Sequence, residues 1–131
     1  YSKTLKIEAL TMLEMTKRDI LPAVIKFKGK LASEINALTA IGSEMDCSVE
    51  KSLLMKISKL SVKLGRALKT LEQITKKSDD FSTNQAEADY YNDKMVPAMN
   101  TLRAVVDELE TLVAREDWPY PSYTEMLYSV R

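Results

Sequence analysis

No histidine occurs in the 131 residues of this chain. That absence removes His-dependent triads, imidazole metal sites and the Glu-x-x-His di-iron sites of helical bundles. The single cysteine, Cys47, cannot close an internal disulfide, which fits a reducing compartment. It lies beside Asp46 and Glu44, an acidic setting unsuited to a thiolate nucleophile, so it reads as an incidental structural residue. Only three glycines and four prolines punctuate the length. So few breakers imply few loops and a few long elements, and no glycine-rich phosphate loop is present. No apolar run approaches the ~18 residues of a membrane span, and the longest, Ile20 to Ile25, contains Pro22. No signal peptide opens the chain. It begins on Tyr1 rather than methionine, and is expected to be a piece cut from a longer polypeptide.

Neither charge sign is in excess: 19 Lys and Arg balance 19 Asp and Glu. Nothing therefore demands a polyanion or an acidic membrane surface. The distribution is uneven. Residues 48–77 carry eight basic side chains against Glu50 and Glu72, whereas residues 78–117 carry ten acids against Lys94, Arg103 and Arg115. Adjacent segments of opposite sign attract and are expected to lie side by side, which sets orientation more than stability. The basic charges are spread around their helix with no aromatics between them, so nucleic acid is not an expected partner. The acids Asp79, Asp80, Glu87, Asp89 and Asp93 lack the glycine and alternating spacing of a calcium loop and read as a solvated helix start. The seven methionines read as gap-fillers in a core or interface.

What the chain does contain is helical periodicity. Tyr91, Met95, Ala98, Leu102, Val105, Leu109 and Leu112 recur at alternating steps of four and three, the spacing of a left-handed helical seam. Such a helix needs partners to cover its stripe. Two precede it. Leu13, Ile20, Val24, Phe27, Leu31, Ile35 and Leu38 mark a helix over about 2–40, with Lys17 at its rim, a kink expected between Arg18 and Pro22, and Gly42 as its terminal cap. Val49, Leu53, Ile57, Leu60, Leu64, Ala67, Leu71 and Ile74 mark a second over about 48–77, capped by Asp46 or Ser48. Ser58, Ser61 and Gly65 form a strip of small residues beside that stripe, where a neighbouring helix could approach closely. The third spans about 83–115, with Ser82 and Gln85, or Asn84 and Glu87, at capping-box spacing. Pro97 sits inside it as Pro22 does in the first, and residues 95–99 (MVPAM) echo residues 20–24 (ILPAV), which suggests similar local kinks. The expected fold is an all-α, antiparallel three-helix bundle in a single domain.

The tail, residues 116–131, is different in kind. Pro119 and Pro121 hold it extended, and Trp118, Tyr120, Tyr123 and Leu127 give it apolar area that is costly to leave in water. These four are the candidate docking residues. No catalytic, cofactor-binding or metal-binding constellation is evident, so the physical reading is a contact module; a free-standing helical adaptor or regulator would carry the same features.

Residues 118–127 (WPYPSYTEML) closely resemble the extreme C-terminus of type III glutamine synthetases, with Ser122 where threonine is usual and Tyr128 where phenylalanine is. Residues 4–12 (TLKIEALTM) and 19–24 (DILPAV) look like the first C-terminal helix of that family, while residues 43–82 carry no motif specific to it. The resemblance implies a parent enzyme that joins ammonia to glutamate with ATP and magnesium or manganese. It would be cytoplasmic and a double-ringed homo-oligomer. The family's metal, nucleotide and glutamate ligands would lie outside this stretch. This domain would then be inert alone, its tail tied to its own catalytic domain or to a neighbouring subunit.

Overall fold

The computed structural model describes residues 1–79 and 81–121. These are all-helical, with no strand among them. The first long helix comprises α1 (Ser2–Met15), a π-helical turn (Thr16–Ile20) and α2 (Leu21–Ile41). The chain then turns through residues 42–47 into α3 (Ser48–Lys76). The last long helix repeats the design of the first: α4 (Asn84–Tyr90), a second π turn (Tyr91–Met95) and α5 (Val96–Leu112).

The two π turns are the physical form of the expected kinks. Pro22 and Pro97 lack the N–H that would bond the carbonyl four residues back, and their rings crowd it. In both places the chain widens by one residue just before the proline. Leu21 N–H bonds the Thr16 carbonyl and Val96 N–H bonds the Tyr91 carbonyl, each a five-residue step. The helix is continued rather than broken. Along the first, the buried series runs Ala9, Leu13, Thr16, Ile20, Val24, Phe27, Leu31 and Ile35. Thr16 fills the place that the seven-residue step from Leu13 to Ile20 leaves open. Lys17 stands outside it and pairs with Glu72.

The core joins Ala9, Leu13, Ile20, Val24, Phe27 and Leu31 to Ile57, Leu60, Leu64, Ala67, Leu68 and Leu71 of α3 and to Tyr91, Met95, Ala98, Met99, Leu102 and Leu109 of the last helix. Along the first helix, Lys6 pairs with Asp79 and Lys17 with Glu72, so numbering rises on one helix as it falls on the other. Tyr1 donates its hydroxyl to Asn92 Oδ1 at 2.7 Å, and Arg103 reaches Met12 Sδ at 3.7 Å, so here numbering rises on both. The basic α3 and the acidic last helix do pack side by side. Even so, the pairs Lys6–Asp79, Lys17–Glu72 and Lys30–Asp117 all start from the first helix.

Several local expectations are corrected. The last helix is capped by Thr83, whose Oγ1 accepts the Ala86 N–H at 3.0 Å; neither Ser82 nor Asn84 does this work. At the start of α3 the Asp46 carboxylate accepts the Ser48 N–H at 2.9 Å, one residue outside the N-cap position held by Cys47. Gly65 is exposed, with open space where a Cβ would stand, so no neighbouring helix approaches closely at that position. Val49 is 78% exposed although it continues the apolar stripe. The last helix ends at Leu112 and leaves the 41–49 end of the other two uncovered on that side. That end shows Ile41 and Met45 to solvent as well. At its other end α3 satisfies its final carbonyls locally: Ser78 Oγ donates to the Thr75 carbonyl at 2.6 Å and Tyr90 hydroxyl to that of Ile74 at 2.6 Å.

Candidate functional site: the returning tail

After Leu112 the backbone becomes extended at the buried Val113, then makes a single 3₁₀ turn over Arg115–Asp117. Asp117 and Trp118 N–H groups both bond the Ala114 carbonyl, at 2.9 and 3.1 Å. The helix thus ends three residues before it was expected to give way to the tail, and this turn redirects the chain against the first helix. Trp118 then adopts extended geometry ahead of Pro119, as a residue preceding proline should.

Two polar contacts hold the returning segment. Lys30 Nζ donates to Asp117 Oδ1 at 2.6 Å, with the Asp117 side chain only 6% exposed. That hydrogen bond, with the charges of Asp117, Glu116 and Glu34 around it, raises the Lys30 ammonium above its ordinary range. Further along, the Tyr120 hydroxyl donates to Asp19 Oδ2 at 2.6 Å. Burial of the phenol, reinforced by that hydrogen bond to a carboxylate and by its charge, pushes Tyr120 up to about 12. Between these two anchors Trp118 and Tyr120 pack, half-buried, against the edge of the core. With Glu110, Thr111, Val113 and Arg115 they line a small cavity of about 350 Å³.

Of the four expected docking residues, Tyr120 bonds Asp19 on the first helix of its own chain, and Trp118 packs beside it at the edge of the core. Tyr123 and Leu127 lie outside the described residues. Sequence reasoning missed the receiving groups, Asp19 and Lys30. Both are single charges on a solvent-facing side of a helix and carry no motif; only the π turn ahead of Pro22 sets Asp19 apart.

The other candidate residues do not converge. Cys47 is buried in the turn before α3, its Sγ directed at the Met45 carbonyl 4.0 Å away. Among the described residues no three Asp, Glu, Cys or His side chains gather where a metal could be held. Asp79 is engaged by Lys6, and Asp89 accepts a hydrogen bond from Gln85 Nε2 at 2.9 Å. Those described residues offer magnesium or manganese no cluster of ligands, and no reaction step is derived through either ion. Met95 and Met99 are core residues, whereas Met15, Met45 and Met55 face solvent. No described helix is long and apolar enough to cross a membrane.

The fold and this site define an all-helical domain whose conspicuous polar contacts tie one part of the chain to another. Residues 1–39 match a family model described as the glutamine synthetase C-terminal domain. That stretch covers α1, the first π turn and most of α2, and so includes both receiving residues, Asp19 and Lys30. Along all 131 residues the chain is 34% identical to a glutamine synthetase of Butyrivibrio fibrisolvens, covering 19% of that protein. It is 30% identical to the type-3 glutamine synthetase of Dictyostelium discoideum, with 98% of this chain and 18% of that protein aligned. A glutamine synthetase of Bacteroides fragilis is 22% identical over the same shares. No solved structure matches significantly. The chain spans about a fifth of the length of these relatives. It belongs with the C-terminal domains of the glutamine synthetase family.

Proposed function

We propose that this chain is the non-catalytic C-terminal domain of a type-3 glutamine synthetase, an antiparallel three-helix bundle with a structural and assembly role. The observation that carries the reading is the alignment of the whole chain with a fifth of a protein named glutamine synthetase. The opposed numbering of the Lys6–Asp79 and Lys17–Glu72 pairs supports the antiparallel arrangement. On this reading the ligation of ammonia to glutamate, with ATP and magnesium or manganese, takes place in the rest of a cytoplasmic homo-oligomeric enzyme. The bundle's partners are its own catalytic domain and neighbouring subunits. A free-standing adaptor draws support from the exposed Ile41, Met45 and Val49, but the length of the relatives favours the domain reading.

The test is deletion of residues 116–131 from the full-length protein, followed by light scattering and a glutamine-forming assay. A smaller or less stable oligomer is expected. An unchanged oligomer with full activity rejects the assembly role. The isolated chain, supplied with ATP, glutamate and ammonia, is expected to form no glutamine.

A further inference from the structure

The cations of α3, expected to be spread around the helix, lie along its outward side. Lys51, Met55, Lys59, Val62, Arg66 and Lys69 follow one another at steps of four, four, three, four and three, and all are exposed. This is a second helical line, opposite the buried one through Ile57, Leu60, Leu64 and Leu71. Lys56 and Lys63, also exposed, flank it. The two acids of α3 stand elsewhere: Glu72 is engaged by Lys17 of the first helix, and Glu50 is half-buried. Among the described residues no acid comes within ion-pair distance of any cation on this line. In its middle, Met55 and Val62 are 60% and 54% exposed.

The last helix carries the complement. Asp89, Asp93, Pro97, Asn100, Ala104 and Asp107 repeat the same steps and are all exposed, with Glu108 beside Asp107. Short side chains occupy the middle of this line and acids its ends. Each line spans 18 residues, about 27 Å of helix. Laid one on the other, they set Met55 and Val62 against the short residues and place cations opposite the acids at both ends. Within one chain this match is not made. The two helices pack through their buried faces, so their charged lines point away from each other. A second copy can satisfy both lines. Exposed ion pairs are individually weak and screened by salt, so the charges select the partner and its register, while the apolar centre adds contact that salt does not screen.

We infer that the outward line of α3 docks on the outward acidic line of the last helix of a second copy of this chain. The contact joins two different patches, so it repeats from copy to copy around a ring or along a filament. The inference deepens the assembly role proposed above and rests on it.

Charge exchange in the full-length protein tests it. Lys59→Glu, Arg66→Glu and Lys69→Glu together reverse the basic line, and Asp93→Lys, Asp107→Lys and Glu108→Lys together reverse the acidic one. All six positions are exposed, and circular dichroism checks that each triple variant keeps its helices. In sedimentation velocity each triple variant should dissociate at a concentration at least tenfold above the parent's, a gap that raised salt narrows. The protein carrying all six substitutions should return to within threefold of the parent. Unchanged association of both triple variants overturns the inference. Failure of the six-substitution protein to recover overturns it too, and assigns the basic line to some other acidic surface. Heparin binding that the α3 variant loses while its oligomer stays intact also overturns it, in favour of a polyanion. Deletion of residues 116–131 reports on the assembly role separately, so a weakened oligomer there with unchanged association here removes this inference alone.

Discussion

At the scale of single residues, the Tyr120–Asp19 contact is the most testable. Tyr120→Phe removes one hydrogen bond to a charged acceptor, and Asp19→Asn weakens the same bond. Each should cost about 1 kcal/mol in urea denaturation, with the double variant costing clearly less than the sum. The phenol's value is raised to about 12 in the folded chain from an ordinary 10.0. Its contribution is therefore complete below pH 10 and is lost as pH rises from 10 to about 12. A stability profile across that range should fall more steeply for the parent than for Tyr120→Phe; parallel profiles would contradict the latch. Glycine gives the opposite sign. Gly65 stands in an exposed helix interior with nothing near its missing Cβ, so Gly65→Ala should stabilise by about 0.5–1 kcal/mol. In the same assay Leu71→Ala, at a fully buried position, should cost about 2–5 kcal/mol.

At the scale of the elements, three helical stripes were legible because apolar spacing reports directly which face is covered. Helix ends were less legible. Ser82, Thr83 and Asn84 are all competent caps, and only the backbone path decides which side-chain oxygen meets an amide two or three residues on. Thr83 holds that place, so Thr83→Ala should lower stability by about 1 kcal/mol, whereas Ser82→Ala should change it by less than about 0.5 kcal/mol. The prolines announced an irregularity but not its kind, because a kink and a one-residue widening satisfy the same missing N–H. Val49 misled for a non-local reason. It obeys its helix's period, yet the last helix ends at Leu112 before covering it, and no pattern within residues 48–76 contains that information.

At the scale of the whole molecule, the composition of the tail named its aromatic residues but not their neighbours. The pairs Tyr120–Asp19 and Asp117–Lys30 depend on the fold bringing together residues about 90–100 positions apart, which no local pattern encodes. Trp118→Ala should accordingly cost about 2 kcal/mol of the bundle's own stability, less than a fully buried tryptophan would because it is only half-covered. Thermal unfolding of the variant checks this, and an unchanged midpoint would mean that the tail adds nothing to the bundle.

The two widened turns have a consequence beyond their helices. Tyr1 hydroxyl is received by Asn92 inside one of them and Tyr120 hydroxyl by Asp19 inside the other, so both ends of the described chain are stitched to the places where helical winding changes. An extra residue swings everything beyond it by about 100° around the axis. Removing one residue from either turn would thus act like slipping a gear tooth: the stripe downstream would be re-aimed, and a tyrosine fastened at the far end of the chain would lose its catch.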